Sequence, residues 1–316
     1  MSRHQPLIVV TEVLNDRTMD YLRRHGRVEV VPIDQLDSAI VEADALVVRT
    51  YTFITREVLA KAKRLKVIGR AGVAVENIDV AACIERGVPV VHTPAANTEA
   101  VVDFTIGHII LMNRHFLTLA GPVSPEQFHQ IRKESFGRFL SGATLGIVGA
   151  GRIGSRVGRA AVGLGMKVLY NDIRPIDLDY PAQAVDKPTL YAGSDIVTIH
   201  TPLTGSTRRL INAAALAQFK RGAQFINAAR GPCMDPAAVA AALHSGQLSA
   251  ATIDCHDPEP LPADYPLWTA PNAILTPHSA ARVPQAVENM CDVVYDVVAV
   301  LEGRPPQYVA IDESVL

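Results

Sequence analysis

Short runs of branched apolar residues recur along the chain, separated by longer stretches in which alanine and polar residues mix. Such runs occupy residues 7–10, 28–31, 45–48, 66–68 and 89–91, and again residues 145–148, 167–170, 195–199, 224–227, 250–253 and 273–275. Runs this short, bounded by turn formers, predict buried strands, and the stretches between them predict helices. Strand and helix alternating in this way implies parallel sheets covered by helices on both faces. The expected class is α/β, with two doubly wound parallel-sheet domains and a cleft between them.

Helix signals divide the chain. Asp235 suits an N-cap, Pro236 the first helical position and Gly246 the stop after residues 237–245. Residues 100–119 read as a long helix that Gly121-Pro122 breaks, with a hinge near Asn97. Val287, Met290, Val294, Val297, Val298 and Leu301 recur at helical spacing, too late to belong to the second sheet. This last helix is expected to return to the first domain. The predicted domains are therefore residues 1–98 with 286–316 and residues 99–285.

Composition narrows the classes. A chain of 316 residues has room for two domains of about 150 residues. Hydrophobic residues at 48% and charged residues at 20% exclude a disordered or fibrous protein. With 30 Lys+Arg against 32 Asp+Glu, no basic excess supports binding to nucleic acid or an anionic membrane, so a small molecule is the expected partner. The apolar run at residues 7–10 is too short for a signal peptide, and the stretch at 106–112 is interrupted by His108 and flanked by Asp103 and Arg114. Neither export nor a membrane span is expected. Cys83, Cys233, Cys255 and Cys291 form no CxxC pair, so no disulfide framework or metal site is signalled, and a cytoplasmic location fits best.

One motif changes the picture. Gly149-Ala150-Gly151-Arg152-Ile153-Gly154 follows the run at 145–148 and opens a helix. Glycines so placed allow a tight turn, close approach to a pyrophosphate and helix-on-strand packing, with helix N–H groups aimed at the phosphates. Asp172 ends the next strand about twenty residues on, where a carboxylate accepts from an adenosine ribose and repels a 2′-phosphate. The expected cofactor is NAD and the domain Rossmann-like, although Arg174 could accommodate the extra phosphate of NADP.

Polar residues gather at the ends of the later strands: His200-Thr201-Pro202-Leu203-Thr204, Asn227-Ala228-Ala229-Arg230-Gly231, Asp254 with Glu259-Pro260, and Thr276-Pro277-His278. They offer a fixed cation, a carboxylate and an imidazole, which suit polarising a carbonyl and moving one proton near neutral pH. Together with Val48-Arg49-Thr50, Arg70-Ala71-Gly72-Val73 and Asn77-Ile78-Asp79, these motifs resemble the D-isomer-specific 2-hydroxyacid dehydrogenase family over nearly the whole chain. Residues 43–79 most resemble the phosphoglycerate dehydrogenase branch in its short form, without a regulatory domain.

The resemblance implies that Arg230 binds the substrate carboxylate and polarises the keto oxygen, that His278 is the acid/base, and that Glu259 holds its imidazole. It also implies cofactor contacts at His200, Thr201, Pro202, Thr207, Ala228, Arg230, Asp254 and His278, besides those of the glycine motif and Asp172. Substrate contacts are implied at Gly72, Val73 and Asn97, and a homodimer through the helix at 100–119. Arg49 and Arg70 each end a predicted strand and could bind a second anion, as on 3-phosphoglycerate. Ordinary ion pairs with Glu76 or Asp79 would instead leave a site for glyoxylate or hydroxypyruvate.

Departures from the family pattern flank the site and bear on substrate range. Ala74 stands where Gly is usual, Glu76 where Asp is, Val102-Asp103 where Ala-Glu is common, and Ala280-Ala281 where Gly commonly follows the histidine. His256 replaces a usual aromatic and is a second candidate imidazole, read as a packing or secondary residue. Two alternatives to a metabolic enzyme of this kind remain open. Corepressors resembling the C-terminal-binding proteins share the motifs and use NAD(H) to control assembly, but this chain ends soon after its last helix. Formate dehydrogenases carry Gln where Glu259 stands.

Overall fold

The apolar runs form strands in the computed structural model, which describes residues 5–114, 116 and 119–310. The chain divides into two compact units, Met1–Asn97 with Ala281–Leu316 and Thr98–Ala280. The divisions fall at 97/98 and 280/281, where the pattern suggested 98/99 and 285/286. Residues 1–4 and 311–316 of the expected first domain lie outside the described residues.

The first unit contains β1 (Leu7–Val10), α1 (Asp16–His25), β2 (Arg27–Val30), α2 (Leu36–Ala39), β3 (Ala45–Val48), α3 (Arg56–Lys61), β4 (Val67–Arg70), α4 (Val80–Glu85) and β5 (Val90–His92). Among the described residues its sheet is parallel throughout, in the order β2-β1-β3-β4-β5. β1, β3 and β4 are buried along their whole length because both faces are covered. Leu36, Leu59, Ile78 and Cys83 pack on one side, against Val9, Leu46 and Ile68. Met19 and Leu22 pack on the other, with Val293, Val294 and Val297, against Ile8, Val47 and Val67.

The second unit runs through α5 (Thr98–Asn113), α6 (Pro125–Glu134), β6 (Thr144–Val148), α7 (Arg152–Gly163), β7 (Lys167–Asn171), β8 (Gln183–Ala184), α8 (Lys187–Gly193), β9 (Ile196–Ile199), α9 (Ala213–Leu216), β10 (Ala223–Asn227), α10 (Pro236–His244), β11 (Leu248–Ile253) and β12 (Ala273–Leu275). Its parallel sheet has the order β12-β11-β10-β9-β6-β7-β8. Strand order therefore reverses between β6 and β9, the place where open α/β sheets leave a crevice at their carboxyl ends. α10 starts as its sequence dictates, with the Asp235 carboxylate accepting from Ala237 and Ala238 N–H at 3.0 and 3.2 Å. α11 (Pro284–Cys291) and α12 (Val293–Leu301) then return the chain to the first unit.

The structure differs from the pattern in three ways. The helix expected over 100–119 ends at Asn113, because the carbonyl of Asn113 accepts from Arg138 N–H and its side chain pairs with Gln224 at 2.8 Å. Residues 115, 117 and 118 of that expected helix lie outside the described residues. The single last helix is two, interrupted at Asp292. The third difference is an addition: the two-residue edge strand β8 and the exposed helix α6 have no apolar pattern, and Ser124 and Gln127 start α6 with a reciprocal capping box.

Candidate active site

At the end of β6 the chain turns through Gly149, whose φ of +92° is one that L side chains rarely adopt. The three glycines of the motif do three different things. A Cβ on Gly149 would meet the His200 carbonyl oxygen at 2.7 Å, one on Gly151 would face open space, and one on Gly154 would meet the Gly149 carbonyl oxygen at 2.0 Å. The turn is thus pressed against α7 and the end of β9, and open only where a pyrophosphate would approach. Gly151 is the N-cap of α7 and supplies no side-chain bond, so the N–H groups of the first turn, beginning at Arg152 and Ile153, are offered to a ligand.

Asp172 follows β7 and is fixed beside this turn. Its carboxylate accepts from Ala150 N–H at 2.9 Å and Arg174 N–H at 3.0 Å, while the Arg174 guanidinium lies 3.9 Å away and largely in solvent. His200, Thr201 and Pro202 follow β9. Burial pushes the pKa of His200 down to about 4, so its ring is neutral, and its Nδ1 is buried without a hydrogen-bond partner. The Thr207 hydroxyl accepts from Thr204 N–H and donates to the Pro202 carbonyl, both at 2.7 Å, and so braces this loop. A glycine turn open at one point, an uncapped helix start and an adjacent carboxylate fit a dinucleotide.

β10, β11 and β12 bring the remaining candidates to the same edge. After β10, Ala228 is buried, and the Asn227 side chain bonds Ala229 N–H and the Arg230 carbonyl, forming the turn that presents Arg230. Arg230 Nη1 donates to the Ala229 carbonyl at 2.7 Å. Gly231 touches the backbone after β11 so closely that a Cβ would lie 1.8 Å from the His256 carbonyl oxygen. After β11, Asp254 is fully buried, and its carboxylate accepts from Thr276 Oγ1 at 2.6 Å, Ser279 N–H at 2.7 Å and Ala280 N–H at 2.9 Å. Its carbonyl accepts from His278 N–H at 2.9 Å. Asp254 is the post around which the His278 loop is tied. That hold keeps His278 at φ +51°, a left-handed conformation costing on the order of 1 kcal/mol for such a residue.

The half-exposed His278 imidazole donates from Nδ1 to Glu259 Oε2 at 2.9 Å. Side-chain hydrogen bonds to Cys255 and then Glu259 push the His278 pKa up to about 10, against burial. Burial also raises the pKa of the Cys255 thiol, so the thiol is protonated near neutral pH and Glu259 is the charged partner there. Burial alone would raise Glu259, but hydrogen bonds from His278 and from His256 N–H outweigh it and hold the carboxylate below its usual range. The Cys255 thiol lies within electrostatic reach of both the His278 imidazole and the Arg230 guanidinium. His256, the second candidate imidazole, is 5% exposed and has bonding partners at both ring nitrogens.

In the first unit, Arg49 follows β3 and Arg70 ends β4, paired in register with Val48, so both stand at one sheet edge with Gly72 and Val73. Arg70 Nη1 donates to the Ala71 carbonyl at 3.1 Å and occupies the space a Cβ on Gly72 would need. The Val73 carbonyl is 2.8 Å from His92 Nδ1. Asp79 lies 3.8 Å from Arg56 and caps α4. Asn97 ends the unit, with its Oδ1 buried and lacking a hydrogen-bond partner. Among the described residues, no cluster of three or more His, Cys, Asp or Glu could hold a metal, and no helix is long and apolar enough to cross a membrane.

Residues 106–280, more than half of the chain, match the family described as D-isomer specific 2-hydroxyacid dehydrogenase, NAD binding domain. The chain belongs to this family. The matched NAD-binding segment contains the glycine turn, Asp172, Arg230, Asp254, Glu259 and His278. D-3-phosphoglycerate dehydrogenase of Methanocaldococcus jannaschii is 38% identical over 286 residues, 88% of this chain and 54% of that protein. This chain thus spans about half the length of that relative. Hydroxypyruvate reductase of Thermotoga maritima is 36% identical over 256 residues, 80% of this chain and 83% of that protein. A crystal structure of a protein from Thermus thermophilus superposes with a TM-score of 0.85 at 37% identity, covering 96% of this chain and all of that one.

Proposed function

We propose that the protein is an NAD-dependent oxidoreductase that interconverts a D-2-hydroxy acid and its 2-keto acid. The observation that carries this reading is the Glu259–His278 pair, tied down by Asp254 and set, like Arg230, on the sheet edge that holds the glycine turn. Bound NADH supplies the hydride, and NAD⁺ accepts it in the reverse direction. Arg230 holds the substrate carboxylate with its planar fork and draws electron density from the keto oxygen; its bond to the Ala229 carbonyl fixes the plane of the guanidinium. With Nδ1 committed to Glu259, Nε2 of His278 gives a proton to the keto oxygen in reduction and takes one from the hydroxyl in oxidation. The Glu259 carboxylate stabilises the imidazolium that reduction consumes, which the neutral amide of Gln would not do.

Arg49 and Arg70 at adjacent strand ends support a substrate with a second anion, of which 3-phosphoglycerate is the first candidate, and the M. jannaschii relative points the same way. The turn of Arg70 back onto Ala71 supports a smaller acid, glyoxylate or hydroxypyruvate, as the second candidate. For assembly and location the reading is a cytoplasmic homodimer. Four buried free thiols support a reducing compartment, and exposed Phe116, Leu119, Phe128, Phe136 and Phe139 support a covered apolar surface. The test is NADH oxidation with 2-keto acids that carry or lack a distal anion, in the natural protein, Arg49→Ala and Arg70→Ala. The phosphoglycerate reading expects each substitution to lower kcat/KM for the distal-anion acids alone, by about tenfold or more. Preference for uncharged tails with an unchanged ratio in both variants would assign the smaller acids, and no turnover with any 2-keto acid would overturn the activity itself.

A further inference from the structure

His256 takes no part in the proposed proton transfer, yet it touches every segment that does. Its backbone N–H donates to Glu259 Oε1 at 2.7 Å. Its carbonyl is the group against which Gly231, next to Arg230, is packed. Its ring reaches across to the loop after β12, with Nε2 2.9 Å from the Thr276 carbonyl oxygen. That carbonyl also accepts from His278 N–H at 2.9 Å, so both of its lone pairs are committed.

The partners determine the tautomer. A carbonyl only accepts, so Nε2 carries a hydrogen, and Nδ1 faces the Tyr265 hydroxyl at 3.4 Å. Tyr265 is itself buried and stands edge-on to the imidazole, 5.6 Å between ring centres. A ring bonded at both nitrogens and walled by an aromatic has one available orientation.

We propose that His256 is a positioning residue, whose Nε2–H holds the Thr276 carbonyl and thereby the left-handed backbone that aims His278 at Glu259. This rests on the reading of His278 as the acid/base. Losing the ring bond would free the Thr276 carbonyl while Asp254 still holds the Thr276 hydroxyl and the Ser279 and Ala280 N–H groups, so the distance between His278 Nδ1 and Glu259 would spread without unfolding the unit. The titratable groups around the pair are Glu259 and Cys255 at the ring of His278, Asp254 behind its loop, Arg230 across Cys255, and Tyr265 with Asp257 beside His256.

Three substitutions separate the ring bond from mere filling of space. Gln places an amide donor where Nε2 stands, Asn places one only where Nδ1 stands, and Phe fills the space with no donor. In the full chain, the His278 imidazole is titrated by NMR, and kcat and KM are measured for keto-acid reduction. His256→Phe and His256→Asn are expected to lower kcat by about tenfold with the KM for NADH nearly unchanged, since a small misplacement costs rate rather than cofactor binding. Both should also lower the apparent His278 pKa by about one unit as its bond to Glu259 weakens. His256→Gln is expected to restore both quantities. If Gln is as impaired as Asn, or if Asn and Phe leave the titration unchanged, the proposal is wrong. Should Phe fail to fold, the Asn–Gln contrast gives the same answer. Should the natural protein reduce no 2-keto acid, the dehydrogenase reading fails and the titration still decides the role of His256.

Discussion

The two sheets share parallel strands and a reversal of strand order, yet they treat the crevice at that reversal in opposite ways. Between β6 and β9 the second unit presents a glycine turn open at Gly151 and an uncapped helix start. Between β1 and β3 the first unit is closed. Glu12 accepts from Arg49 N–H at 3.2 Å, Tyr51 N–H at 3.2 Å and the Thr52 hydroxyl at 3.1 Å, and the buried Thr11 and Thr52 hydroxyls bond each other at 2.7 Å. The donors an anion would need there are already bound to a carboxylate that would repel it. One architecture therefore yields one nucleotide cradle, and the candidate recognition groups of the first unit move one strand along, to the ends of β3 and β4. Fold supplies the edge, and individual residues decide its use.

If the chemistry belongs to the second unit, His278→Ala should lower kcat by about 10²–10⁴-fold while NADH binding persists, as stopped-flow fluorescence would show. Asp172→Ala should weaken NADH by about tenfold and narrow its advantage over NADPH, read from kcat/KM for the two cofactors. Glu259→Gln should move the pH midpoint of keto-acid reduction down by about one to three units, because the imidazolium loses its anionic partner. The stability effect has a defined sign. The raised His278 pKa adds stability that is full in acid and lost as pH rises through that value, whereas the lowered Glu259 pKa adds stability lost as pH falls through its own. The pair thus contributes between the two, and Gln removes that contribution, which thermal unfolding across pH would show. Smallest is Glu12→Ala, which should cost about 1 kcal/mol in unfolding experiments and leave NADH affinity unchanged. A loss of NADH binding in that variant would break the contrast between the two crevices.

Much of this was legible in the sequence, for a physical reason. Strands buried on both faces must be continuously apolar, so the runs at 7–10, 45–48 and 145–148 mark themselves, and Asp235-Pro236 marks a helix start through local bonds alone. The glycine motif is legible because its job is done by the backbone. What escaped depends on partners distant in the chain. β8 exists only because Gln183 pairs with Leu169, α5 stops because Gln224 and Arg138 claim its last turn, and α11 and α12 part at Asp292. α6 carried a local signal, Ser124 with Gln127, that an apolar pattern does not register. At the site, spacing and resemblance named Arg230, Glu259 and His278, took Asp254 as a cofactor contact and read His256 as a packing or secondary residue, but the bonds that Asp254 and His256 make to the His278 loop run across the ends of separate strands and leave no local signal.

Chiral analysis of the product formed from a 2-keto acid and NADH, in the natural protein and in His278→Ala, tests the central claim most directly. The account predicts the D-2-hydroxy acid alone, in step with the NADH consumed, and almost none from the variant. An L or racemic product, or undiminished turnover without the His278 imidazole, would contradict it.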